Sequence, residues 1–156
     1  MPTFHGEWIL RDQNWRIAVI VSRFNQHISE ALLRGALDTL ARLGMSVEAI
    51  TTIWVPGAFE IPGTARRALP LYDGIMTLGA VIRGETPHFD YVASAVASGV
   101  AELSRTGEKP VIFGVLTCNT MEEAQARAGG KAGNKGSDAA LALIEMLSLY
   151  QKLSGA

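Results

Sequence analysis

The sequence predicts an α/β fold in which a parallel β-sheet is covered by helices on both faces. Two features of the chain support this prediction. Short β-branched and apolar runs alternate with helical stretches, which is typical of βαβ units with right-handed crossovers. The first run, Ile17–Val21, is apolar at every position, as strands buried on both faces of a parallel sheet are. We therefore expect a doubly wound α/β/α sandwich.

The length and composition fit one domain. The chain has 156 residues, of which 48% are hydrophobic, so it is long enough to bury a core without a disulfide or a metal. It has no linker, low-complexity segment or internal repeat. We expect a single domain over residues 1–156, with residues 1–14 as an N-terminal extension. Within this extension, Thr3–Trp8 is a candidate edge strand that pairs on a neighbouring subunit.

Strands are predicted from the apolar runs and from the turn residues that bound them. The second predicted strand ends at Pro56-Gly57, and Pro70 precedes the third. In chain order the predicted strands are Ile17–Val21, Val47–Val55, Ile75–Ile82 and Val111–Leu116.

Helices are predicted from the helical spacing of apolar residues and from capping residues. Gly44 stands where the C-terminal cap of the first helix belongs, and Pro62 falls in the first turn of the second helix. Thr120 and Glu123 have the spacing of a capping box at the start of the fourth. In chain order the predicted helices are Ile28–Leu43, Ile61–Leu69, Phe89–Leu103, Thr120–Ala128 and Asp138–Leu153, with a glycine-rich stretch, Gly129–Gly136, before the last.

The composition excludes several classes of protein. Lys and Arg total 14 against 15 Asp and Glu, so a broad basic face for nucleic acid is not expected. The N-terminus lacks a signal-peptide pattern, and no apolar stretch approaches the ~20 residues of a membrane span. The single cysteine, Cys118, allows neither an intrachain disulfide nor a thiolate zinc site. We expect a soluble, cytoplasmic protein with no nucleic-acid or membrane partner.

The segments that follow the strands are the candidates for a binding site, because ligands of open α/β sheets bind outside the carboxyl ends of the strands. Together these segments hold aromatic rings, a histidine, carboxylates and backbone amides. Such a set suits a planar, hydrogen-bonding ligand that stacks on a ring. The segments are Ser22–Asn25, Pro56–Glu60, Arg83–His88 and Thr117–Asn119.

Standard nucleotide-binding fingerprints are absent from the sequence. Gly79 and Gly84 have the spacing of a phosphate-binding P-loop, but Glu85 stands where the P-loop lysine must be, and a carboxylate there repels phosphate. No Gly-x-Gly-x-x-Gly pattern follows the first strand, which argues against a Rossmann dinucleotide site. The three histidines do not have metal-ligand spacing, and we expect no metal.

Several residues of these segments have both a functional and a structural interpretation. His88 is either a proton-transfer group or a capping or partly buried histidine. Phe24 is either an exposed stacking ring or a loop anchor, and Glu60 either binds ligand hydroxyls or favours a helix start. Cys118 fits a passive thiol better than a nucleophile, since no histidine can be placed beside it.

A group of cations later in the chain has two interpretations as well. Arg127, Lys131 and Lys135 flank the glycines of Gly129–Gly136. They form either a local anion site or a solvated turn whose cations favour a helix C-terminus.

Five segments, in order and over nearly the whole chain, resemble those of the 6,7-dimethyl-8-ribityllumazine synthase family. Any one of them is a weak signal, but five in sequence are specific. They are Arg23-Phe24-Asn25, Trp54–Pro62, Leu78–Tyr91, Val111–Leu116 and Ala128–Gly136. The resemblance implies a flavodoxin-like three-layer sandwich, which agrees with the alternation of strands and helices.

The resemblance also implies a transferase of riboflavin biosynthesis. Its reaction condenses 5-amino-6-(D-ribitylamino)uracil with L-3,4-dihydroxy-2-butanone 4-phosphate. The products are 6,7-dimethyl-8-ribityllumazine, phosphate and water, in the penultimate step of the pathway. The family needs neither a metal nor an organic cofactor.

The family's functional residues map onto this chain by position. The resemblance implies that His88 transfers protons and that Glu85, Thr86, Arg127 and Lys135 surround the butanone phosphate. Many family members carry a small residue at position 85, so the phosphate is expected to bind backbone N–H groups there, with the Glu85 carboxylate turned away. The residues implied for the aminouracil are Phe24, Ala58, Phe59, Glu60, Ala80, Val81, Ile82 and, from a neighbouring subunit, Phe113.

The family resemblance further implies self-association. Its members form homopentamers, which often assemble into an icosahedral shell of about sixty subunits with closed symmetry. A functional association with riboflavin synthase is a further expectation. Two interpretations from other classes are a lumazine or flavin carrier without catalysis and a purely structural shell protein. His88 and Arg127 argue against a carrier, and the presence of Phe24, Glu60 and His88 argues against a structural role.

Overall fold

The computed structural model describes residues 1–10 and 13–155. The strands and helices alternate along the chain as predicted. In chain order they are β1 (Ile17–Ser22), α1 (Gln26–Arg42), β2 (Ile50–Val55), α2 (Ile61–Ala68), β3 (Gly74–Ile82), α3 (His88–Thr106), β4 (Val111–Cys118), α4 (Met121–Ala126), β5 (Ala128–Gly130), β6 (Gly133–Asn134) and α5 (Lys135–Ser154). Short 3₁₀ turns precede β2 and flank α2.

The main sheet is parallel, with the strand order β2-β1-β3-β4. Its register pairs Ile17 with both Ile50 and Gly74, and Ile75 with Val111. The four strands of this sheet therefore run in the same direction, and their carboxyl ends lie at the same end of the sheet. The strands β5 and β6 form a separate antiparallel hairpin. The predicted parallel α/β fold is confirmed.

Helices cover both faces of the sheet. Alternate residues of β1 face two different cores: Ile17 and Val19 pack with α1 and α5, whereas Ala18 and Ile20 pack with α2 and α3. All six residues of β1 are completely buried, as its continuous apolar sequence predicts. Burial of each large aliphatic side chain stabilises the fold by roughly 1.5–3 kcal/mol. The result is the predicted three-layer α/β/α sandwich.

The predicted caps at Gly44 and Thr120 are present. Gly44 has a φ of +96°, and a Schellman motif ends α1: the Gly44 N–H donates to the Ala41 carbonyl and the Met45 N–H to the Leu40 carbonyl, both at 3.0 Å. The Thr120 hydroxyl accepts the Glu123 N–H at 3.2 Å at the start of α4. The Glu123 carboxylate accepts the N–H of Asn119, the residue before Thr120. In a standard capping box it would accept the N–H of Thr120 itself.

Several boundaries differ from the prediction, and local hydrogen bonds decide two of them. The strand predicted from Val47 begins at Ile50, since Val47–Ala49 form a 3₁₀ turn in which the Ser46 hydroxyl donates to the Glu48 carboxylate. As a result, the pKa of Glu48 is lowered.

The helix predicted from Asp138 begins earlier, at Lys135. The side-chain oxygen of Asn134 accepts the Gly136 and Ser137 N–H groups at 2.8 and 3.2 Å and caps the helix there. The fourth helix ends at Ala126 instead of Ala128, and the glycine-rich stretch after it folds as the β5–β6 hairpin.

The N-terminal extension lies along α5 of its own chain. The Glu7 N–H donates to the Ser148 hydroxyl at 3.1 Å, and the Lys152 ammonium lies 3.0 Å from the Glu7 carboxylate and 3.1 Å from the His5 carbonyl. Residues 1–10 include no strand, and residues 11 and 12 of the predicted extension lie outside the described residues. Phe4 and Trp8 remain about half exposed. Strand pairing with a neighbouring subunit stays a prediction.

The longest helices, α3 and α5, have 19 and 20 residues. Within residues 1–10 and 13–155, no helix is both long and apolar enough to cross a membrane.

Candidate active site

A cavity of about 640 Å³ opens at the carboxyl ends of β1, β2 and β3, beside the first turn of α3. This is the position that the parallel topology predicts for a ligand. The structure brings most of the predicted site residues to its walls. The predicted residues among its lining are Phe24, Ala58, Phe59, Glu60, Ala80, Val81, Ile82, Thr86 and His88.

The first wall follows β1. Asn25 adopts the left-handed conformation, with a φ of 57°, and turns the chain into α1. Its side-chain amide donates to the Ala80 carbonyl at 3.1 Å, which links this turn to β3. Phe24 precedes this turn, and its side chain is 71% exposed while lining the cavity. The ring is therefore not a core anchor and is available for stacking.

The second wall follows β2. The Glu60 carboxylate accepts the Gly57 N–H at 3.0 Å and closes the 3₁₀ turn before α2, so the structural interpretation of Glu60 is correct for this contact. Ala58 is buried under the turn, whereas Phe59 is 62% exposed. The turn thus presents a second aromatic ring and a carboxylate to the cavity.

The third wall is formed by the end of β3 and the start of α3. Ala80 and Val81 are buried in the sheet, and Thr86 and His88 follow in an exposed connection and the first helical turn. His88 is the first residue of α3 and lines the cavity. Its imidazole is therefore exposed at the cavity wall, not buried in the core.

Four predicted residues do not line this cavity. Glu85 is exposed and does not line the cavity, although both its neighbours, Gly84 and Thr86, do; the turned-away carboxylate stays a prediction. Phe113 lies in the middle of β4, opposite Thr77 in the register, and is 39% exposed. The other two are Arg127 and Lys135.

Arg127 and Lys135 lie beyond β4, on either side of the β5–β6 hairpin. The Arg127 guanidinium donates to the Glu123 carbonyl at 3.0 Å, and the Lys135 N–H donates to the Arg127 carbonyl at 2.8 Å. The hairpin therefore brings the backbones of Arg127 and Lys135 together, and both of their side chains are exposed. The chain places an aromatic cavity and a pair of cations at two separate positions.

Cys118 ends β4 and is only 5% exposed. Burial raises the pKa of its thiol; the nearby Arg127 charge lowers it and the Glu123 charge raises it further. A buried thiol with a raised pKa is a poor nucleophile. This supports the interpretation of Cys118 as passive.

Sequence reasoning missed Tyr91, which lines the cavity and is 73% exposed. It lies one helical turn after His88, so the i, i+3 spacing on α3 is the signal that could have found it. Within the described residues, no group of three or more His, Cys, Asp and Glu side chains is arranged to hold a metal ion.

Comparison with known proteins identifies the family. Residues 14–151 match the family model described as 6,7-dimethyl-8-ribityllumazine synthase. A protein of that name from Salinibacter ruber is 52% identical over 157 aligned positions, covering 99% of this chain and all of the relative. Another, from Thermus thermophilus, is 51% identical over 148 positions, covering 94% of each chain. The chain therefore belongs to the 6,7-dimethyl-8-ribityllumazine synthase family, transferases of riboflavin biosynthesis.

Proposed function

We propose that the cavity at the ends of β1, β2 and β3 is where this chain carries out its family's reaction. The reaction joins 5-amino-6-(D-ribitylamino)uracil to L-3,4-dihydroxy-2-butanone 4-phosphate and releases phosphate and water. The observation that carries this assignment is the position of two exposed aromatic rings, Phe24 and Phe59, in one cavity with the His88 imidazole. A planar pyrimidine beside a proton-transfer group fits these walls.

The aminouracil is assigned to the three walls. Phe24 stacks on the pyrimidine, because an exposed ring presents its face to a planar ligand. Glu60 and the backbone around Ala58 and Phe59 hydrogen-bond the ribityl chain. Ala80, Val81 and Ile82, at the end of β3, line the edge of the ring. Stacking and edge contacts together fix the plane and the rotation of this substrate.

His88 is assigned to proton transfer. The condensation forms two carbon–nitrogen bonds, of which the second closes a ring, and releases phosphate and water, so protons must move on and off nitrogen and oxygen atoms. An imidazole gives and takes protons near neutral pH, and His88 is exposed to the cavity at the start of α3. Holding both substrates together supplies the other large part of the acceleration.

The butanone phosphate is assigned to the connection between β3 and α3, where Gly84 and Thr86 line the cavity and the Glu85 side chain is exposed. Arg127 and Lys135 supply its positive partners. Since neither cation lines the cavity of its own chain, we infer that they reach it from a neighbouring copy, together with Phe113 of the edge strand β4. The cavity of each copy then receives cations from one neighbour, and the cations of that copy reach the cavity of its other neighbour.

Such a head-to-tail contact closes into a ring, and the assembly we propose is the homopentamer. The half-exposed Phe4 and Trp8 of the N-terminal segment are available to a neighbouring copy, where this segment adds as an edge strand after releasing its hydrogen bonds to α5. Twelve pentamers in an icosahedral shell of about sixty subunits are the further step of this proposal. Sedimentation velocity distinguishes five from sixty times 16.7 kDa. A monomer with full activity would contradict the shared site.

We further propose that the enzyme works in the cytoplasm, in association with riboflavin synthase. The support for a reducing compartment is the single cysteine, which is unpaired in the fold. A pull-down of riboflavin synthase by the tagged enzyme tests the association.

The activity is tested by mixing the purified protein with both substrates and following lumazine fluorescence. We expect fluorescence to rise only when both substrates are present. A protein that binds added lumazine but never forms it would be a carrier, and this result would contradict the proposed function. Omission of either substrate and a His88→Ala variant are the matched controls.

A further inference from the structure

Arg83 lies where three elements of the site meet. It directly follows β3, and its guanidinium lies 4.4 Å from the centre of the Phe89 ring and 3.2 Å from the Asp90 carboxylate. Its Nε donates to the side-chain oxygen of Asn119 at 3.0 Å. The Arg83 side chain, which extends from the end of β3, thus contacts both the start of α3 and the connection between β4 and α4.

Both ends of this contact are fixed. The Arg83 N–H donates to the Cys118 carbonyl at 2.9 Å, which holds the root of the side chain to β4. The Asn119 N–H donates to the Glu123 carboxylate at 2.8 Å, so the residue that accepts from the guanidinium is itself anchored to α4. The guanidinium is therefore held from two directions.

The first turn of α3 is packed into the core by Phe89 but has no side-chain cap at its N-terminus. Its N-cap residue is Pro87, and no side-chain hydrogen bond caps the helix there. By contrast, Thr120 caps α4 and Asn134 caps α5. Phe89 and Asp90, which Arg83 contacts, are the two residues that directly follow His88.

We propose that Arg83 is a positioning residue, which fixes the first turn of α3 and thereby the direction of the His88 imidazole toward the substrates. The proposal rests on the proposed function, since it assigns Arg83 a role through His88. An exposed ion pair alone contributes little. The planar guanidinium, however, stacks its face on a ring while the N–H groups in its plane donate to two acceptors, and a lysine ammonium has no flat face for such stacking.

The test compares Arg83→Gln in two backgrounds. In the wild-type enzyme we expect kcat to fall about tenfold, because a small misplacement of a catalytic group is costly, while KM for both substrates stays within about twofold. In a His88→Ala background we expect the same substitution to change kcat by less than about twofold, since residues that act through one another are not additive. Arg83→Lys should restore part of the lost kcat.

The matched control is Arg42→Gln, which breaks another exposed arginine–aspartate pair, 2.8 Å from Asp38 at the end of α1 and outside the lining of the cavity. It should leave kcat unchanged. Equal losses from Arg83→Gln in both backgrounds would overturn the positioning role in favour of a general loss of structure. A raised KM for the butanone phosphate at unchanged kcat would overturn it in favour of direct phosphate binding.

Amide hydrogen exchange supplies a readout that does not need activity. We expect the amides of residues 89–92 to exchange faster in Arg83→Gln than in the wild type, and those of α1 to be unchanged. If exchange accelerates but the wild-type protein forms no lumazine, the proposed function fails while the contact's ordering role stands. If the wild type is active and neither exchange nor kcat responds, the positioning proposal is wrong.

Discussion

The cavity and the cation pair are two regions that the chain builds in different ways. The cavity gathers residues from three sequence segments, but β1, β2 and β3 are neighbours in a parallel sheet, so their carboxyl ends meet within one chain. Arg127 and Lys135 lie beyond the edge strand β4, outside that cavity. Topology alone therefore completes the first region, whereas our proposal needs a second copy to bring the other region to it.

The two regions also differ in how their side chains are held. The cavity presents exposed rings on the turns that follow β1 and β2. The cations are held by a glycine hairpin in which Gly129 and Gly133 have φ values of +104° and +83°, a conformation that favours glycine. A Cβ on Gly130 would lie 2.7 Å from the Gln125 carbonyl, so the hairpin packs too closely on α4 to accept a side chain there. The glycines are thus required for the fold of the hairpin, whereas Arg127 and Lys135 are the residues proposed to bind the phosphate.

The largest effect is expected in the cavity, from His88→Ala. If His88 transfers protons, kcat should fall by up to ~10² to 10⁴-fold without reaching zero, because holding the substrates together still accelerates the reaction. Steady-state kinetics by lumazine fluorescence measures this. Wild-type rates would remove the proton-transfer assignment. Complete inactivity in a variant with an unchanged circular dichroism spectrum would point to another role.

The next prediction separates the two regions by substrate. Arg127→Ala should raise KM for the butanone phosphate by about 10- to 100-fold, as expected for the loss of a charge-assisted contact of ~1.5–3 kcal/mol, and leave the aminouracil KM nearly unchanged. Phe24→Ala should do the reverse, by about tenfold, since ring stacking contributes ~1–3 kcal/mol. Each variant is the other's control. If both raise the same KM, the division of the site is wrong.

The smallest effect is expected at Cys118, which lies between the regions. Cys118→Ala should keep kcat within about twofold, because the buried thiol is not a nucleophile.

The same residue makes the stability of the fold depend on pH. Because burial raises the pKa of the Cys118 thiol in the native state, the unfolded state loses the thiol proton at a lower pH than the native state does. The contribution of the thiol to the free energy of unfolding is therefore full below about pH 8.5 and is lost as pH rises through the native pKa. The Tm advantage of the wild type over Cys118→Ala should therefore shrink between pH 8 and pH 10. A constant difference would contradict this.

The fold and the cavity followed from the sequence because each depends on a strong, short-range signal. The apolar run of β1 has to be buried on both faces, and the positions of Phe24, Glu60 and His88 at strand ends follow from the parallel topology. The start of β2 was predicted three residues too early, because Val47 has a strand-like side chain but is exposed in a turn.

Other features escaped prediction because they depend on contacts between distant segments. The Asn134 cap that starts α5 also donates to the Ala31 carbonyl at 3.1 Å, a contact 103 residues away in sequence. Arg83 contacts Asn119 across 36 residues, and no local pattern marks either residue. Whether Phe113 and the cations meet a neighbour's cavity is a property of the assembly, which hydrophobic periodicity within one chain does not encode.

The sharing of each site between two copies is tested most directly by mixing two defective variants. His88→Ala damages the cavity region and Arg127→Ala the cation region, and the two are unfolded and refolded together in equal amounts. Activity is measured with the butanone phosphate well below the KM of Arg127→Ala, where each variant alone is nearly inactive. If neighbouring copies supply the two regions, about one site in four of the mixed rings combines an intact cavity with intact cations, and activity should rise to about a quarter of the wild-type value under these conditions. Activity equal to the mean of the two variants refolded separately would contradict the shared site.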